Sequence, residues 1–190
     1  IKEHDPMPTI LLVRHGQASA GFGSHRDPGL DDVGRAQAEA VAEELAARFE
    51  APVPIYSSPL KRAQETAAPL ARRWGNEVIL EPRVAEIPSP TEDLRERARW
   101  LRGVMAGKWT ELPEELLRWR QEMIDCVLGF ETDAVVFCHF IAINVVVGAA
   151  IRAEELIVFR PDNGSVTEAL TNSGILSSTA KGTEASTRVN

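Results

Sequence analysis

The sequence predicts an α/β fold with a mostly parallel central sheet covered on both faces. Three observations carry this. Short apolar runs alternate with helical patterns, the order that βαβ units produce. Two of those runs, Thr9–Val13 and Asp133–Cys138, are apolar almost throughout, as strands buried on both faces are. The 190 residues, 44% hydrophobic and 26% charged, fit one globular domain large enough to bury a core without a disulfide or metal staple.

Each element has its own reason. Thr9–Val13 is the first strand, and a glycine-containing loop follows to Leu30. Asp31 or Asp32 caps a helix reaching about Phe49, with Val41, Leu45 and Phe49 stacked at i, i+4. Pro54–Ser57 is the second strand. Ser58 then caps a helix with Pro59 at its first position and Gly75 at its end. Glu77–Leu80 is a third strand, and Arg83–Pro90, with two prolines, is a loop. Two helices, about Thr91–Met105 and Pro113–Phe130, form a helical excursion over 91–130 between strands. Asp133–Cys138 is the next strand, followed by a buried helix, Phe140–Ile151. Glu155–Phe159 and Ser165–Leu170 read as two last strands around an Asn163-Gly164 turn. The expected domain runs over 7–176. Residues 1–6, ahead of Met7, read as a cloning remnant, and 177–190 as a polar, flexible tail.

Charge and cysteine usage exclude several classes. With 21 basic and 28 acidic residues the net charge is −7, which speaks against non-specific nucleic-acid or anionic-membrane partners. It does not speak against an anionic small molecule, because a cleft can be locally positive. No apolar run approaches the ~18 residues of a membrane span. Cys126 and Cys138 stand outside any CxxC pair, which suggests a reducing compartment and a cytoplasmic protein. Gly21-Phe22-Gly23 lacks the third glycine of a dinucleotide fingerprint, and no phosphate-binding P-loop or nucleophile-elbow pattern occurs. No metal ligand set and no cofactor is assigned.

The chemistry lies where strands end. Val13 runs into Arg14-His15-Gly16, Ser57 into Ser58-Pro59-Leu60-Lys61-Arg62, and Cys138 into His139. In open α/β sheets ligands bind outside the carboxyl ends of the strands. Three parallel strands therefore gather Arg14, His15, Arg62 and His139 at one crevice. Two guanidinium forks and two imidazoles suit a tetrahedral dianion. Singly, each signal is weak: a lone strand-end histidine is more often structural. The series Arg95, Arg97, Arg99 and Arg102 reads as a solvated helix face paired with Glu92 and Glu96, with binding of an anionic substrate tail as the alternative.

These segments, in this order, resemble the histidine phosphatase superfamily. Leu11–Ala18, Leu30–Leu45 with Gly34, Gln37 and Ala38, Ser57–Ala67 and Asn163–Thr167 carry the resemblance, which spans Ile10 to about Leu170. It implies a phosphoglycerate mutase-like three-layer α/β/α sandwich and a phosphatase acting on phosphomonoesters of small molecules or proteins. By the same resemblance His15 is the nucleophile that becomes phosphohistidine. Arg14, Arg62 and His139 bind the phosphoryl group, and His139 also serves catalysis. Glu86 is the proton donor, with Glu92 and Asp93 as nearby competitors. Two departures stand out: Phe140 follows His139 where the family has glycine, and Ala18–Gly23 lacks the asparagine that mutases carry. Phosphatase is therefore favoured over a phosphoglycerate mutase-type phosphomutase, and over a catalytically weak relative that only binds phosphorylated ligands. The sequence names neither the substrate nor the oligomeric state.

Overall fold

The computed structural model describes residues 7–20, 26–172 and 174–185. The expected remnant at 1–6, the Gly21–Gly23 stretch and the last five residues lie outside them. Six strands form one sheet in the order β3-β2-β4-β1-β5-β6: β1 (Thr9–Arg14), β2 (Ile55–Ser57), β3 (Val78–Leu80), β4 (Ala134–Cys138), β5 (Val166–Asn172) and β6 (Ile175–Ala180). The β3-β2, β2-β4 and β4-β1 pairs are parallel; β1-β5 and β5-β6 are antiparallel.

The pleat of β1 divides the core in two. Ile10 and Leu12 join one apolar cluster, while Leu11 and Val13 join the other. The second cluster is closed by α1 (Asp32–Arg48) through Val41 and Leu45, and by α2 (Lys61–Trp74) through Ala67 and Leu70. The first is closed by α3 (Leu94–Met105), α4 (Glu114–Leu128) and α5 (Phe140–Ile151), through Leu101, Met123 and the almost wholly buried α5. The helix after β1 thus covers one face and the helix after β4 the other. Adjacent parallel strands whose helices diverge leave a crevice at their carboxyl ends. No helix among the described residues is long and apolar enough to cross a membrane.

Most elements stand where the sequence places them, with three corrections. First, α2 begins at Lys61, after Leu60, with no side-chain cap. Ser58 has other hydrogen bonds to make. Second, Glu155–Phe159 is not a strand. Its amides are used elsewhere: Leu156 N–H donates to Gly107 O at 3.2 Å, and Val158 and Phe159 donate to buried Asn144 Oδ1 at 2.8 and 3.2 Å. The Asn163-Gly164 turn exists, with Gly164 at φ 72°, yet the true hairpin joins β5 to β6 through Gly174 at φ 81°. Third, the part of the expected tail that is described, 177–185, contains paired backbone. β6 runs to Ala180, Asp162 N–H donates to Thr183 O, and Ala185 N–H donates to Arg160 O, each at 2.7 Å. An outer strand needs amides and carbonyls rather than apolar side chains, so its polar composition concealed it.

Asn144 is the one polar side chain in the middle of α5. It donates to Phe140 O at 2.9 Å as well as accepting from both amides, so it ties the 158–159 segment to the start of the helix. Asn144→Leu keeps the branched shape and leaves the Val158 and Phe159 amides without their acceptor. It should lower the unfolding free energy by about 2–4 kcal/mol, read by urea denaturation. A loss below about 0.5 kcal/mol would contradict this role.

Candidate active site

The carboxyl ends of β1, β4 and β2 are stitched together at one level. Arg14 pairs in register with Cys138, and Ser57 with Phe137. Just beyond, His15 N–H donates to Cys138 O at 3.1 Å and Ser58 N–H to Phe137 O at 2.9 Å. The three segments therefore leave the sheet side by side, carrying Arg14, His15 and His139 with them, while Arg62 follows on the second turn-forming residue of α2.

The loop after β1 lies hard against the start of α1. A Cβ on Gly34 would sit 2.1 Å from Gln17 O, and one on Gly16 would sit 2.5 Å from Gly34 O, so both positions need glycine for close backbone approach. Asp31 caps α1 through Gly34 N–H at 2.7 Å and accepts from Gln17 Nε2 at 2.8 Å. Gly16 N–H donates to Thr66 Oγ1 at 2.9 Å, and Thr66 Oγ1 donates to Arg62 O at 2.7 Å. From the far side Asn163 Nδ2 donates to His15 O at 3.1 Å. The loop is held from α1, α2 and the 162–165 turn.

These contacts decide the state of His15. Its Nδ1 lies 2.7 Å from Gly16 O, which can only accept, so Nδ1 carries the proton. Nε2 is left with its lone pair, 3.2 Å from the Nε–H of Arg62. Burial first, then the Arg62 and Arg14 charges, push the imidazole pKa well below the usual 6.5. At neutral pH His15 is an uncharged imidazole with a defined tautomer.

The second histidine is tied differently. His139 is fully buried, its ring centroid 5.2 Å from that of His15, and its Nε2 is 2.8 Å from Ser58 Oγ. Ser58 Oγ already accepts from Leu60 N–H at 3.2 Å, so its own proton is available to His139 Nε2. With the Ser58 hydroxyl donating to Nε2, the proton of His139 sits on Nδ1, a buried atom with no hydrogen-bond partner among the described residues. Burial, followed by the charge of Arg62, also holds this imidazole neutral. Arg14 is in a similar position: Nη1 donates to Pro161 O at 2.9 Å, while its buried Nε has no partner among the described residues. Burial lowers its pKa to about 10, so it stays cationic at pH 7. Two buried donors without acceptors beside a neutral imidazole describe a place for an anion.

Glu86 faces this cluster, where its charge acts on both Arg14 and Arg62. It also caps α5 from 55 residues away: Ile141 N–H donates to Oε2, and Ala142 and Ile87 N–H donate to Oε1, each at 3.1 Å. Burial raises its pKa above the ordinary carboxyl value, against the pull of those amides and of Arg62. The competitors are occupied elsewhere: Asp93 caps α3 through Arg95 and Glu96 N–H, and exposed Glu92 pairs with Arg26 at 2.5 Å.

Phe140 is accommodated by cations. Its buried ring lies 5.1 Å from the guanidinium carbon of Arg14 and 5.6 Å from that of Arg160. The bulk that replaces glycine therefore braces one face of Arg14 rather than filling the crevice. Of the arginine series on α3, Arg95, Arg99 and Arg102 are exposed, and only Arg97 is half-buried. The pairing with Glu92 and Glu96 does not form: Glu96 accepts from Thr91 Oγ1 at 3.0 Å. Sequence reasoning missed Ser58 as the partner of His139, Thr66 and Asn163 as supports of the loop, and the capping by Glu86. Each acts across the fold, so no local pattern marks it. No group of three or more His, Cys, Asp or Glu among the described residues is placed to hold a metal ion.

Comparison with known proteins identifies the family. The family model for the histidine phosphatase superfamily (branch 1) matches residues 10–175. A metal-independent phosphoserine phosphatase of Arabidopsis thaliana is 38% identical over 101 residues, 51% of this chain and 38% of that protein. Phosphoserine phosphatase 1 of Hydrogenobacter thermophilus is 33% identical over 120 residues, 61% of this chain and 52% of that one. The chain thus spans about half, or less, of the length of these two relatives. A probable phosphoglycerate mutase GpmB of Photorhabdus laumondii is 29% identical over 75% of this chain and 74% of its own length. Among solved structures, a phosphoserine phosphatase of Entamoeba histolytica in complex with 3-phosphoglyceric acid superposes with a TM-score of 0.71. It is 23% identical, with 93% of this chain and 98% of that one covered. The matched span contains β1 to the end of β5 and every residue of the crevice, and the chain belongs to branch 1 of the histidine phosphatase superfamily.

Proposed function

We propose that the protein is a phosphatase that hydrolyses phosphomonoesters through a phosphohistidine on His15. The observation that supports this most is the lone pair of His15 Nε2, held toward Arg62 by the Nδ1–H bond to Gly16 O, beside unpartnered donors on Arg14 and His139. A neutral imidazole is nucleophilic, and an imidazolium is not. In this reading the phosphoryl oxygens meet Arg14, Arg62 and His139 Nδ1–H, which also stabilise charge on the equatorial oxygens in the transition state. Nε2 attacks phosphorus, the ester P–O bond breaks, and Glu86 protonates the leaving alkoxide. The resulting carboxylate then takes a proton from water as its oxygen attacks phosphorus. The P–N bond breaks, and His15, Glu86 and inorganic phosphate are regenerated in balance.

A bound dianion raises the pKa of a nearby carboxyl group further, which suits a carboxylate that must arrive protonated. Phosphoserine and 3-phosphoglycerate, named for relatives, mark the substrate class as small phosphorylated metabolites. A phosphomutase would use the same His15 and return the phosphoryl group to the organic product. The free, buried thiols of Cys126 and Cys138 suit a cytoplasmic setting.

Rapid quenching with labelled phosphomonoester should trap a protein-bound phosphate that is acid-labile, base-stable and lost in His15→Ala. In steady state the label should appear as inorganic phosphate. A base-labile adduct, or full activity in His15→Ala, would remove His15 from the role, and label returned to the organic product would mean a mutase.

Glu86→Gln should slow hydrolysis of alkyl phosphates ~10²–10⁴-fold and the phosphorylation step with good aryl leaving groups much less. It should also abolish the fall of kcat/KM on the alkaline side, where the wild-type Glu86 has lost its proton. Equal losses for both leaving-group classes, or an unchanged alkaline limb, would assign the proton to another group.

A further inference from the structure

Phe140 stands where the family has glycine, and the proposed reaction gives it no task. It is the first residue of α5 and is buried. Its backbone is fixed. Phe140 O accepts from Asn144 Nδ2 at 2.9 Å, and the next two amides of the helix, those of Ile141 and Ala142, are bonded to Glu86. Its ring meets two guanidiniums, with Arg14 Cζ 5.1 Å and Arg160 Cζ 5.6 Å from the centroid. Both lie within the ~6 Å over which an aromatic face attracts a cation. Arg160 is exposed and Arg14 is buried, so the contact with Arg14 is the desolvated and stronger one.

The surroundings of Arg14 show what a ring can do there. A buried guanidinium is commonly oriented by a carboxylate that takes two of its N–H groups in a fork. Among the described residues no carboxylate forms an ion pair with Arg14. Its main chain is bound, with N–H donating to Ser165 O at 3.1 Å and O accepting from Gly164 N–H at 3.0 Å. Its side chain makes one hydrogen bond among the described residues, from Nη1 to Pro161 O. A single bond at one corner does not fix a planar group. An aromatic face attracts the cation as a whole and takes none of its N–H groups in a fork, so the unpartnered Nε stays available to a ligand. Arg160 and Pro161 are adjacent and serve the same guanidinium, one through the ring and the other through its carbonyl. Their segment is itself anchored: Arg160 O accepts from Ala185 N–H at 2.7 Å, and Arg160 N–H donates to Glu184 Oε1 at 3.2 Å.

We propose that Phe140 is a positioning residue for phosphoryl transfer, whose ring holds the Arg14 guanidinium in the orientation that presents its free donors to the phosphoryl oxygens. This rests on the phosphatase reading and deepens it. An aliphatic side chain would fill much of the same space without attracting the cation. The electrons of the ring, and not its volume, therefore carry the role.

The test replaces Phe140 alone by 4-fluoro-, 3,5-difluoro- and 3,4,5-trifluorophenylalanine, which withdraw electron density from the ring face stepwise with little change of shape. The Kd of inorganic phosphate, read by titration calorimetry, should rise at each step. It should reach ~3–30-fold above wild type in the trifluoro protein and in Phe140→Leu, the range for loss of a desolvated cation–π contact. With p-nitrophenyl phosphate, kcat/KM should fall in the same order. A Kd within about twofold of wild type across the fluorinated series would overturn the role, whatever Phe140→Leu does, because shape alone would then account for the ring. Turnover by the wild type separates the two levels. Release of phosphate from p-nitrophenyl phosphate with an unchanged Kd in the series overturns the positioning role alone. No phosphate release from any ester overturns the phosphatase reading and the positioning role with it.

Discussion

Two guanidinium groups are buried against an uncharged imidazole, and everything else in the crevice follows from that. Burying a cation costs several kcal/mol unless an anion or a full set of acceptors meets it. Arg14 has Pro161 O and the face of Phe140, and both arginines feel the charge of Glu86. Asp162 adds to that pull on Arg14 and Asp27 to that on Arg62, and protonation of Glu86 would remove the carboxylate the two cations share. In the proposed reaction a phosphoryl dianion completes the set. Burial, and then the same field that would attract it, keep His15 and His139 from gaining protons, so in the proposed reaction the charge that binds the ligand also keeps the imidazole nucleophilic.

Such a field has to be held in place by rigid elements, because the cations repel one another. The sheet supplies the level at which the chains depart, through main-chain bonds between β1, β2 and β4. Gly16 and Gly34 then allow the His15 loop to lie directly on α1, and Thr66 and Asn163 fix it from two other directions. Glu86 does two jobs at once, since its oxygens terminate α5 while its charge faces the arginines. The helix N-terminus stabilises the ionised carboxylate and burial opposes it. The proton on Glu86 is therefore poised to respond to the arrival of another anion.

What the sequence made legible is instructive. Arg14, His15 and His139 follow apolar runs directly, so reading the strands located them, and Arg62 lies within reach of a third strand end. The structure gathers all four. Glu86 follows no strand; resemblance alone singles it out, and its capping of α5 depends on a 55-residue separation that no local pattern encodes. Ser58 was misread because serine before proline is a common helix start, while in the fold its hydroxyl serves His139. Glu155–Phe159 has the composition of a strand, but Asn144 and Gly107 take the amides that a ladder would need. β6 is the reverse case, a strand of small polar residues whose pairing is carried by its backbone. Phe140, standing where the family has glycine, packs its ring against the guanidiniums of Arg14 and Arg160.

The most direct measurement is ¹⁵N NMR of histidine-labelled protein, following the two ring nitrogens of His15 through a pH titration, with His15→Ala to assign them. Nδ1 should carry the proton and Nε2 should show the shift of an unprotonated nitrogen. That neutral tautomer should persist to well below pH 6.5, because burial and two arginines oppose a further proton. A proton on Nε2, or an imidazolium at neutral pH, would contradict it and leave the crevice without its nucleophile.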